Sequence, residues 1–198
     1  MTAPDPLFPR AGSAPDPALA DMVSAALPEA LAEVFRRRAQ IQYEDEESGY
    51  DGRDLELVLH AIAALADGTA LPAADLARLG AVLSIPAVSQ CLPATATGEH
   101  AHEAEALWTL LTRVLTGTHR ANPAVLLCYS AFLRGDTVLA QTSLSIALGA
   151  DPGHVTARLL DAVYKGVLPP TTLPRIARLA AAAATDVGVT IDQPLDSR

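Results

Sequence analysis

Hydrophobic residues recur along this chain at intervals of three and four. From Asp54, the residues Leu55, Val58, Leu59, Ile62 and Leu65 fall on one helical face that Gly68 ends. Leu76, Leu79, Val82 and Leu83 repeat the spacing after Pro72, with Gly80 as a weak point inside that helix. Between Glu99 and Thr116, Ala106, Leu107, Leu110, Leu111, Val114 and Leu115 make one broad apolar face, with Trp108 beside it and Gly117 after it. Pro123 opens a helix through Leu133, and helices over 137–149, 154–165 and 171–184 complete the series. No stretch alternates convincingly with period two, so the pattern predicts an all-α protein. Short connections between the last helices predict antiparallel pairs.

The breaks in the pattern set the expected boundaries. Residues 1–15 carry four prolines and no periodicity, which predicts a disordered N-terminal segment. Order is expected from Asp16-Pro17, with Asp as cap and Pro in the first turn. Pro28 is expected to break or kink this helix before Leu31, Val34, Phe35 and Ile41 resume it. Residues 43–54, "YEDEESGYDGRD", read as an acidic loop with a turn at Asp51-Gly52. Pro86 ends one helix and opens a short one through Leu92. "PATATG", residues 93–98, reads as a linker and as the point where the domain could subdivide. The expected organisation is one helical domain over 16–187, followed by a loose tail over 188–198.

Composition supports helices and narrows the function classes. Half the residues are hydrophobic but only 4% are aromatic, and alanine and leucine, strong helix formers, are abundant. The net charge of −9 repels phosphate backbones, so nucleic acid is not an expected partner. Arg36-Arg37-Arg38 point in three directions on a helix and read as solvated surface, like the acids at 44–47. No apolar stretch approaches the roughly 18 residues of a membrane span, and the N-terminus lacks a secretory signal. The expected location is the cytoplasm. Cys91 and Cys128 have no metal-binding spacing and read as small core hydrophobes.

Familiar chemistry is missing. Neither calcium-loop frame works: starting at Asp45 puts Tyr50 where glycine is needed, and starting at Glu44 puts Leu55 where glutamate is needed. His100 and His102 lie two apart, so a helix would not converge them on zinc; with Glu99 and Glu103 they read as a polar helix start. His60 reads as a partly buried structural histidine, and His119 and His154 as solvent-facing turn residues. No Gly-x-Ser-x-Gly elbow, phosphate-binding loop or Gly-x-Gly-x-x-Gly occurs, so no cofactor is expected.

Residues 132–152, "FLRGDTVLAQTSLSIALGADP", have the offsets of one tetratricopeptide unit: Gly135 at the turn, Ala140, Leu144 and Ala147 on the second helix, Pro152 at the end. Shifting these positions by about 34 residues either way recovers few matches, so an extended array is not expected. More broadly, Leu107-Trp108-Thr109, Arg134-Gly135-Asp136, Ala147-Leu148, Ala150-Asp151-Pro152 and Gly166 to Pro169 resemble the C-terminal region of an uncharacterised actinobacterial family, a domain of unknown function (DUF4192). The resemblance spans 75–180, most closely 105–172, and implies a helical fold with no catalytic residues to transfer. It also implies a short or divergent member.

Two functions are expected to compete. The first is a non-enzymatic helical module that binds a protein partner or its own copy. The alternative is a small-molecule binder or enzyme with a pocket between helices lined by Trp108, Tyr129, Arg134 and Asp136. The simplest structural roles for those four are core for the aromatic pair, and cap and turn for the charged pair.

Overall fold

The computed structural model describes residues 17–40 and 44–191, excepting the side chains of 44–48. The disordered segment expected at 1–15, the capping Asp16 and the last residues from 192 lie outside the described residues. Nine α-helices follow in order among the described residues: α1 Pro17–Ala39, α2 Glu44–Ala66, α3 Ala73–Val82, α4 Pro86–Ser89, α5 Ala101–Val114, α6 Ala121–Arg134, α7 Thr137–Ala150, α8 Val155–Tyr164 and α9 Thr172–Asp186. Two 3-10 turns, Leu92–Thr97 and Gly117–Arg120, complete the set. The fold is all-helical.

Two apolar clusters hold it together, and α6 contributes to both. The larger joins α1, α2, α3 and α5 around Trp108. The smaller joins α6, α7, α8 and α9 around Tyr129. Cys91 and Cys128 are free thiols buried in different clusters. Burial pushes their pKa values up to about 11 and about 12, which suits inert core residues.

The α6–α7 hairpin forms as its sequence predicts. Gly135 ends α6 with φ 80°, and the Asp136 amide donates back to the Ala131 carbonyl at 2.9 Å. Asp136 then caps α7, its Oδ1 accepting the Leu139 N–H at 3.0 Å. Ala140, Leu144 and Ala147 are buried. The two alanines let α7 approach α6 closely.

Five expectations are corrected. Of the break or kink expected at Pro28, the break does not occur: α1 runs through it as one helix. Proline removes one backbone donor, but Val23, Leu27 and Val34 on the same helix are all buried, and that packing offsets the loss.

Residues 44–54 are helix, not loop. Gly52 serves a close approach rather than a turn: a Cβ there would sit 2.4 Å from the Val187 carbonyl oxygen. Arg37 and Arg38 are not solvated surface. Arg37 Nη2 donates to both carboxylate oxygens of Asp54, at 2.7 and 3.0 Å, and Arg38 pairs with Asp51. The Arg37 and Arg53 guanidinium groups lie 5.7 and 5.3 Å from the Tyr50 ring centre. The Arg37 and Arg38 contacts clasp the end of α1 to α2. Only Arg36, paired with Glu33, is surface.

The stretch 93–98 is not a linker. Pro93, Ala94 and Thr95 are buried, and the 3-10 turn that contains them packs against α9. At the other end of α9, Gly188 turns the chain with φ 82° and Val189 returns to the larger core. The described part of the expected tail, 188–191, therefore lies against the domain.

Among the described residues no single helix is long and apolar enough to cross a membrane. α3 and residues 86–97 pass that test only as a pair, and they are bent by 94°.

Two glycines make opposite predictions. Gly149 in α7 has open space around its Cβ direction, so Gly149→Ala is expected to stabilise by about 0.5–1 kcal/mol through helix propensity. Gly52→Ala gains the same propensity but pushes a methyl into a backbone oxygen that cannot swing aside. It is expected to cost about 1–2 kcal/mol net. Urea unfolding midpoints check both signs.

Candidate functional site

One cleft among the described residues is walled by the last two helices. α8 packs on α6 and α7, α9 packs on the Leu92–Thr97 turn, and a cleft of about 490 Å³ stays open between them. Val125 and Leu126 of α6 line its base, both buried. Val155 and Leu159 form one wall, Ile176 and Leu179 the other. Val155 is 81% exposed and Leu179 70% exposed. They are two of seven exposed large apolar side chains among the described residues, and the two that line this cleft.

One end of the cleft is polar and rigid. The turn Asp151-Pro152-Gly153 delivers His154 to the start of α8, where its Nδ1 accepts the Ala157 N–H at 3.3 Å. That bond fixes the proton on Nε2, which donates to Asn122 Oδ1 at 2.9 Å. Asn122 Nδ2 in turn donates to the Leu83 carbonyl at 2.8 Å. The chain of bonds ties α8 through α6 to the end of α3. Asp151 also lines this end; its Oδ1 accepts the Gly153 N–H at 2.9 Å.

His154 is thus half-buried and structural, not the solvent-facing residue expected. Burial holds its pKa below the ordinary 6.5, with Asp151 pulling weakly the other way. The folded chain therefore favours the neutral ring. Its contribution to stability is complete above pH 6.5 and is lost as pH falls through the depressed folded value. His154→Asn keeps a capping acceptor without a titrating group, so the melting temperature of that variant is expected to drop less than wild type between pH 7.5 and pH 5.

A second, smaller cleft of about 330 Å³ lies between α2 and residues 95–100. Leu59 and Ile62 are its apolar side; His60, Glu99 and His100 are its polar side. His60 is exposed here rather than partly buried. His100 precedes α5 and lies 3.9 Å from Glu103, the polar helix start its sequence suggests. Among the described residues no group of three or more His, Cys, Asp or Glu side chains is placed to hold a metal ion.

The four residues expected to line a pocket do not meet in either cleft. Trp108 is fully buried in the larger core. Tyr129 is buried in the smaller one, donating its hydroxyl to the Leu173 carbonyl at 2.7 Å, and burial pushes its pKa up to about 12. Arg134 lies at the surface in a two-point pair with Glu105, at 2.7 and 3.2 Å. Asp136 caps α7, as its place after Gly135 suggests. The residues that do build the cleft escaped the sequence reading, although Asp151-Pro152-Gly153 before an apolar run marks His154 as a helix cap.

A family described as a domain of unknown function (DUF4192) matches residues 7–171. The match reaches further towards the N-terminus than the stretch that carries the motifs. No curated protein and no solved structure matches the chain.

Proposed function

The chain belongs to this family of unknown function, and from that premise we propose that it is a helical protein-interaction module that takes its partner in the α8–α9 cleft. The uncovered pair Val155 and Leu179, facing each other over a buried apolar floor, is the observation that supports this reading. An open apolar trough between two helices suits a side chain or helix from another protein better than it suits an enclosed metabolite. Affinity capture with wild type beside Leu179→Asp tests it. A protein retained by wild type and lost with the variant, at unchanged circular dichroism, is the expected result. Identical capture by both contradicts the reading.

A second reading, small-molecule binding, is favoured by the cleft beside α2, where His60 and His100 flank an apolar side. A metabolite that raises the melting temperature of wild type but not of His60→Ala supports it; no such compound in a broad thermal-shift screen counts against it.

A further inference from the structure

The charge around the α8–α9 cleft runs against the rest of the chain. The protein carries −9 overall. From Asp151 to Asp186, however, the cations Arg158, Lys165, Arg175 and Arg178 outnumber the acids, Asp151, Asp161 and Asp186. Asp161 is taken by Lys165 at 2.6 Å. The three arginines are exposed, and none has an ion pair among the described residues.

Two of them border the cleft by helix geometry. Arg158 follows Val155 by three residues on α8, and Arg175 precedes Leu179 by four on α9, so each shares a face with an uncovered apolar residue. Both lips of the trough thus have the same order: an exposed apolar side chain, then an unpaired guanidinium. Arg178 lies further round α9. The one carboxylate on the cleft wall, Asp151, is at the capped end, already engaged by the Gly153 amide.

Resting on the docking reading above, we propose that the occupant is an acidic amphipathic helix of a partner protein. Its apolar stripe would cover Val155, Leu159, Ile176 and Leu179, and carboxylates flanking that stripe would meet Arg158 and Arg175. The charge argues against face-to-face pairing of this cleft with the same cleft of a second copy, which would set the arginines of one copy against those of the other. It also sets direction for specificity: a basic helix with the same apolar stripe meets like charge on both lips.

Two synthetic helical peptides of about 15 residues, matching α9 in length, test this. They share one Leu/Phe stripe and differ only in polar face, Glu in one and Lys in the other. The full chain is titrated with each by fluorescence anisotropy. The Glu-faced peptide is expected to bind at least about tenfold more tightly, with the advantage shrinking in about 0.5 M salt. Arg158→Glu with Arg175→Glu is expected to reverse the preference, and Leu179→Ser to weaken both peptides; all three sites are exposed, so folding is preserved.

Equal binding of both peptides, still lost in Leu179→Ser, overturns the acidic partner while leaving the docking cleft standing. Binding of neither peptide overturns the acidic helix, and a Leu179→Ser that changes nothing overturns the cleft itself. Arginine-dependent sedimentation with phosphatidylserine vesicles in place of peptide binding, or a dimer by light scattering that Leu179→Ser dissociates, also overturns the proposal.

Discussion

Trp108→Ala is expected to lower the unfolding free energy by about 3–5 kcal/mol, the upper range for truncating one core side chain. Trp108 is fully buried in the larger core, on the helix that packs against α1, α2 and α6. Removing the ring deletes apolar burial and leaves a cavity that α5 cannot close without abandoning those contacts. Total stability for domains of this kind is about 5–15 kcal/mol, so the variant is expected to be marginal at 37 °C. Trp108→Phe retains most of the volume and is expected to cost less than half as much. A role in binding would show as lost peptide affinity at unchanged stability. Urea unfolding followed by circular dichroism separates the two, because the substitution also removes the only tryptophan.

Asp54→Ala is the second large effect, expected at about 2–3 kcal/mol. The Asp54 side chain is 2% exposed and that of Arg37 is 24% exposed. Truncating the acid strands a cation that still reaches some water, which places the cost below the 3–5 kcal/mol of a fully buried broken pair. The intact pair is not a strong net stabiliser. Burial raises the Asp54 pKa above 3.8 despite the opposing pull of Arg37. A raised acid favours the protonated fold, so this contribution is present below pH 3.8 and lost as pH rises through the folded value. That is the opposite sign to the His154 contribution. Exchanging both partners for apolar residues, Arg37→Met with Asp54→Leu, is therefore expected to cost less than Asp54→Ala alone. Urea midpoints of the single and double variants decide it, and a double variant worse than the single one contradicts this account of the clasp.

The sequence carried the helices whose apolar stripes are local. α3 and α5 to α9 follow from spacing, caps and glycine stops, because each buries the stripe that its own residues write. Residues 44–54 were illegible for the opposite reason. They lack an apolar stripe and hold two glycines, and they are helix because Asp51 and Asp54 find arginines on α1 and Gly52 finds the backbone at Val187. Residues 93–98 looked like a linker because Pro, Ala and Thr are common in linkers. The same small side chains fit beneath α9. The cleft was hidden because it depends on how α8 and α9 sit relative to each other, a long-range property. What was local about it, the cap at His154 and the spacings Val155–Arg158 and Arg175–Leu179, is plain in the sequence once the helices are placed.

Backbone hydrogen exchange of the full chain with and without the Glu-faced peptide tests the central claim most directly. If the α8–α9 cleft is the docking surface, added protection is expected over residues 151–159 and 176–183, with α1 to α3 unchanged. Protection centred on α1 to α3, or none anywhere at saturating peptide, would contradict it.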